Sequence, residues 1–99
     1  SEMLALLQKL VYEMILQYPS GIAPSDISNF TGIKVGTVRS RCSELRRKFN
    51  LIKVVGRKKV PDSPGSESVY APIDSHEAAK MKDKEDESRG QFLMFKEEL

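Results

Sequence analysis

Gly32 does most to limit what this chain can fold into. It follows Thr31 and stops any helix that begins near Pro24-Ser25-Asp26. Glycine takes the left-handed backbone that a sharp turn requires, so the helix before it is short. Ser25 is placed to cap that helix, and Asp26 sets a carboxylate at the positive end of its dipole. Beyond the turn, Ile33 leads into a second helical stretch over about Val35 to Phe49. Its apolar stripe is Val38, Cys42, Leu45 and Phe49. Asn50 suits a left-handed stop.

The flanking segments add a first helix and a hairpin. Leu4, Leu7, Val11, Met14 and Tyr18 recur at helical steps, widened by Leu10 and Ile15, and predict a helix over residues 2–18. Pro19-Ser20-Gly21 ends it. Ile22, alone between turn signals, reads as a strand of one or two residues. Leu51 to Val55 is β-branched and predicts a strand. Gly56-Arg57-Lys58-Lys59 then leads to the loop Pro61-Asp62-Ser63-Pro64-Gly65, which places the three basic residues at the tip or shoulder of a hairpin. Ser68 to Ala71 returns as the second strand.

From Asp74 the composition changes. Asp74 and Glu77 have capping-box spacing, and a charged, helix-permissive run extends to Arg89. Gly90 and the apolar Gln91-Phe92-Leu93-Met94-Phe95 follow. The expected fold is α+β and mostly α: one domain over residues 1–73, and a charged helix or tail over 74–99. Ninety-nine residues suit a single domain with a modest core.

Charge is unevenly distributed. Residues 1–60 hold 11 Lys and Arg against 4 Asp and Glu, whereas residues 61–99 hold 5 against 10. This points to a cationic face for an anionic partner and an acidic tail kept away from it. No apolar run approaches the ~18 residues of a membrane span, and no signal peptide is visible. Ser1 in place of Met suggests a processed or engineered start. The single Cys42 excludes an internal disulfide and suits a reducing, cytoplasmic setting.

Residues 24–48 have the arithmetic of a helix-turn-helix. With the apolar stripe of the second helix inward, Gly36, Ser40, Ser43 and Arg47 lie opposite it. Arg39 and Arg46 flank one edge, and Thr37, Arg41 and Lys48 the other. This outward side is small and hydroxylic near its start and basic near its end. Small residues allow close approach to a groove floor, and arginine grips two guanine acceptors or two phosphate oxygens.

Residues 3–72, about 70% of the chain, resemble the winged helix-turn-helix superfamily. Thr31-Gly32-Ile33-Lys34-Val35-Gly36-Thr37-Val38-Arg39-Ser40-Arg41-Cys42-Ser43-Glu44-Leu45-Arg46 looks like its turn and recognition helix, and Leu51-Ile52 like the start of its wing. The style is similar to small proteins of bacteria, phages and mobile elements. The resemblance implies double-stranded DNA as ligand. It implies helix contacts at Lys34, Gly36, Thr37, Arg39, Ser40, Ser43 and Arg47, and wing contacts at Arg57, Lys58 and Lys59. Two positions depart from the pattern: Lys34 stands where a Ser or Asp cap is usual, and Phe49-Asn50 replaces the common terminal glycine.

Other chemistry finds little support. Cys42 has the spacing of a core residue. His76 stands in a charged segment without a nucleophile or second ligand. Asp83, Glu85, Asp86 and Glu87 alternate with Lys80, Lys82 and Lys84, as on a solvated face. Gly32 and Gly36 form no phosphate loop. No nucleophile, base and oxyanion donor assemble, so neither an enzyme nor a cofactor is expected.

The leading expectation is a DNA-binding regulator of transcription, or a viral or mobile-element protein that organises DNA, nucleoid-associated if bacterial or phage. The alternative is a winged-helix protein-interaction module working through helix 1 and the tail. Homodimerisation through helix 1 or the tail, a protein partner at Phe92–Phe95, and shielding of the basic face by acidic residues 74–87 are further expectations.

Overall fold

The computed structural model describes residues 1–74. The expectations for His76, the acidic cluster and Phe92–Phe95 lie outside the described residues. The element order is α1 (Glu2–Leu16), α2 (Pro24–Thr31), α3 (Val35–Arg47), β1 (Ile52–Lys59) and β2 (Ser66–Pro72). Three helices and an antiparallel hairpin make a small α+β layout compatible with a winged helix. Among the described residues, no helix is long and apolar enough to cross a membrane.

Helix α1 ends at Leu16, two residues before the expected end. The Tyr18 amide bonds back to the Ile15 carbonyl (3.0 Å), and Pro19 follows. Tyr18 thereby leaves the buried stripe and stacks on Phe30 of α2, with ring centroids 6.1 Å apart. Val11 and Ile15 of the expected stripe are fully buried, with Gln8 and Tyr12 beside them, whereas Leu4, Leu7 and Met14 are half-buried and Tyr18 is exposed, so the buried face is displaced toward Gln8 and Tyr12. Beside these apolar residues the Gln8 amide donates to Glu44 of α3 at 3.0 Å. Met3 (63% exposed), Leu6 (47%) and Leu10 (41%) are left outside.

Helix α2 starts on Pro24, where a missing N–H leaves nothing unsatisfied. Its cap residue is Ala23 rather than the expected Ser25. The Ser25 N–H and hydroxyl both donate to Glu67 of β2 instead. Gly32 closes the helix in the left-handed conformation (φ 78°), as expected, and its N–H reaches the Ser28 carbonyl at 2.8 Å. Three side-chain bonds pin the turn that follows: Ser28 Oγ to the Ile33 carbonyl (2.6 Å), Thr31 Oγ1 to the Ile27 carbonyl (2.7 Å), and the Ile33 N–H to Thr31 Oγ1 (3.2 Å).

Helix α3 stops at Arg47, short of Phe49. Asn50 takes φ 55° and the Leu51 N–H turns back to the Leu45 carbonyl (2.9 Å), so the chain reverses into β1. Val38, Cys42 and Leu45 share one core with Val11, Ile15, Ile27, Leu51 and Ile52.

Both strands run further than expected. Strand β1 continues through Gly56 to Lys59, so Arg57, Lys58 and Lys59 belong to the strand. The turn is residues 60–65, closed by the Val60 N–H on the Gly65 carbonyl (3.0 Å). The register runs Val54↔Tyr70 and then Gly56↔Val69, with an irregularity between them. One extra residue there swaps the two faces of β1. Ile22 bridges Tyr70 as a one-residue strand, as expected.

Gly21 passes the sheet at φ 122°, and a Cβ on it would stand 2.6 Å from Val69 Cγ1 and 2.9 Å from Val55 Cγ2. Gly21→Ala is expected to cost about 2 kcal/mol or more in urea unfolding, from backbone strain and overpacking together. A change within ~0.5 kcal/mol would contradict this packing.

Candidate nucleic-acid interface

The outward side of α3 is open. Gly36, Arg39, Ser40, Arg46 and Arg47 are exposed, and Thr37 and Ser43 half-buried. Lys34, exposed, is the N-terminal cap residue without a side-chain cap bond, so a lysine stands beside the unpaired first amides of α3. A Cβ on Gly36 would meet nothing within 4 Å. The fold itself therefore does not require glycine there, although glycine inside a helix costs about 0.5–1 kcal/mol relative to alanine. Ser40 donates to the Gly36 carbonyl at 3.1 Å.

A carboxylate stands at each flank of α3. On the α1 side, Arg41 holds Glu44 with Nε at 2.7 Å and Nη2 at 2.9 Å, and Gln8 completes the clamp. Burial would raise the Glu44 carboxyl, but the hydrogen bonds from Arg41 and Gln8 and the charges of Arg41 and Lys48 hold it below the usual range. Arg41 is thus committed to a carboxylate of its own helix. On the other flank, Arg39 Nη2 lies 3.8 Å from Oε1 of Glu67.

The hairpin divides its three basic residues. Lys58 sits opposite Glu67 and pairs with Asp26 of α2 at 2.7 Å; this hydrogen bond raises the Lys58 ammonium above its ordinary value. It faces the body and ties the hairpin to α2. Arg57 lies across β2 on the other face, with Nε on Ser66 Oγ (3.0 Å) and Nη2 on the Ser66 carbonyl (3.0 Å). Lys59 is exposed at the strand end and makes no ion pair among the described residues.

The ten expected site residues therefore do not act alike. Lys34, Gly36, Arg39, Ser40 and Arg47 line one open face, with Thr37 and Ser43 at its margins. Lys59 and Arg57 belong to the outer side of the hairpin, and Lys58 to its inner side. Glu67 and the Gln8–Glu44–Arg41 clamp escape the sequence reading. The signal for Glu67 is period two: it shares a strand face with Val69 and Ala71, but only once β2 is extended back to Ser66.

Cys42 is fully buried, and burial, reinforced by the Glu67 charge, pushes its thiol from 9.0 up to about 12. Among the described residues, no cluster of three His, Cys, Asp or Glu side chains gathers as a metal site would require. No protein-family model matches the chain, and neither a curated protein nor a solved structure matches it.

Native protein at pH 8 is expected to resist an aromatic disulfide reagent and to react once unfolded in urea; rapid native labelling would contradict the burial of Cys42. Because the folded thiol holds its proton longer than the unfolded one, its contribution to stability is full below pH 9.0 and declines as pH rises toward about 12. Gly36→Ala should raise stability by about 0.5–1 kcal/mol, and a loss would reveal a contact at that face.

Proposed function

We propose that the protein is a winged helix-turn-helix protein that binds double-stranded DNA, with α3 in the major groove and the β1–β2 hairpin as the wing. Regulation of transcription, or organisation of viral or mobile DNA in the cytoplasm, is the role this reading favours. One observation carries it: the face of α3 opposite its buried stripe is open, glycine-lined at Gly36, and rimmed by Lys34, Arg39, Arg46 and Arg47. A 13-residue helix is ~20 Å long, and the major groove, about 12 Å wide, accepts one helix. Lys34 and the first amides of α3 suit a phosphate, and Ser40 and Ser43 suit bases or phosphates. The wing then follows the backbone through Lys59 and Arg57.

A second reading has its own observation. Met3, Leu6 and Leu10 form an exposed apolar stripe at helical spacing, which favours protein association through α1. Leu6→Lys should then shift the sedimentation of a dimer toward monomer, and an unchanged monomer would exclude self-association there.

Selection of bound duplexes from a random pool at two salt concentrations tests the DNA reading. Recovery of a shared motif at both supports it; no recovery at low salt overturns it. Arg47→Ala and Lys59→Ala should weaken all duplexes alike and reduce the salt slope by about 1 each. Arg39→Ala should relax one base preference, at about 1–3 kcal/mol. Arg41→Ala, on the α1 side, should leave the salt slope unchanged. Unaltered affinity in Arg47→Ala, Lys59→Ala and Arg39→Ala alike at low salt would refute these contacts.

A further inference from the structure

We infer that Glu67 is a positioning residue for Arg39, setting base selectivity at the position Arg39 reads while leaving general affinity for duplex unchanged. This rests on the DNA reading. The Glu67 side chain is 3% exposed, whereas that of Arg39 is 47% exposed. The carboxylate cannot swing freely. Its Oε1 accepts the Ser25 N–H at 3.1 Å, its Oε2 accepts the Ser25 hydroxyl, and β-pairing fixes its backbone opposite Lys58. It is a rigid anion held at the first turn of α2, directed at the flank of α3.

Arg39 reaches this anion with Nη2 alone. A guanidinium has five donors in one plane. Among the described residues its Nε and Nη1 have no hydrogen-bond or ion-pair partner. One edge therefore lies within ion-pair distance of a fixed anion, at 3.8 Å and without a hydrogen bond, and the rest of the plane is offered to solvent at the open face. A fork biased this way by the fixed charge loses less rotamer freedom when it meets two acceptors on a base, so the ion pair favours geometry-dependent contacts over diffuse attraction. Arg46 lies on the same flank two turns later and has no ion-pair partner among the described residues. It is the internal comparison: a mobile cation that serves affinity without selectivity.

The test uses the full chain as wild type, E67Q, R39A and the double variant. Dissociation constants are measured at one salt concentration for a duplex selected by the wild type and for its single base-pair variants. E67Q should bind unselected duplex within about twofold of wild type, since glutamine still accepts the Ser25 amide and its change removes an anion. It should lose about tenfold in discrimination at the base pair that R39A relaxes, and the double variant should lose no more. Wild-type discrimination by E67Q, or relaxation at a different base pair, overturns the inference. If E67Q melts far below wild type, E67D, which keeps the charge but shortens its reach, takes its place and should show the same loss; full discrimination by E67D overturns the inference equally. Nitrogen-15 relaxation of the Arg39 Nε–H in the free protein is independent of DNA. Restricted motion in wild type, released by the position 67 variant, with Arg46 mobile in both, supports the ion pair; equal mobility of Arg39 in both refutes it. A restricted Arg39 together with no duplex selected would sink the DNA reading alone.

Discussion

The architecture depends on burying one stripe of α3. Val38, Cys42 and Leu45 are fully buried in a cluster with residues of α1, α2 and β1, and the valine and leucine side chains are each worth about 1.5–3 kcal/mol against exposure. Once that stripe is inward, helical geometry sends Gly36, Ser40, Ser43 and Arg47 outward. Apolar packing alone would leave the helix some freedom to roll. The Gln8–Glu44 hydrogen bond to α1 restricts it on one side, and Glu67 of β2 lies within ion-pair distance of Arg39 on the other.

The same polar groups join the hairpin to the helices. Ser25 and Asp26, at the first turn of α2, take Glu67 and Lys58 from neighbouring positions of β2 and β1. A two-stranded hairpin is marginal by itself, so these links and the Ile22–Tyr70 bridge give it a defined stance beside α3. Cations are thereby sorted. Arg41 and Lys58 are used within the fold, whereas Lys34, Arg46, Arg47 and Lys59 are exposed and make no ion pair among the described residues. The proposed DNA interface consists of this second group together with Arg39, which takes part in both.

Much of this was legible from the residues. Gly32 announced the turn, the period of Val38, Cys42 and Leu45 announced the inward side of α3, and Asn50 announced its left-handed exit. Three features were not legible, each for a physical reason. The polar member of the buried side of α1, Gln8, pairs with Glu44, 36 positions away; hydrophobic period alone cannot register such a pair. Ser25 looks like a cap and acts as a donor, because Pro24 already starts the helix and Glu67 arrives from β2. The faces of Arg57, Lys58 and Lys59 depend on the single irregularity between Val54 and Gly56. Without that extra residue Arg57 and Lys59 would turn toward the body and Lys58 away from it.

Titration of nitrogen-15-labelled protein with a short mixed-sequence duplex at low salt tests the open face of α3 most directly. The account predicts that amide shifts concentrate at residues 34–47 and at Arg57 and Lys59, leaving Leu6 and Leu10 of α1 in place. Shifts centred on α1, or a spectrum unmoved by duplex, would contradict it.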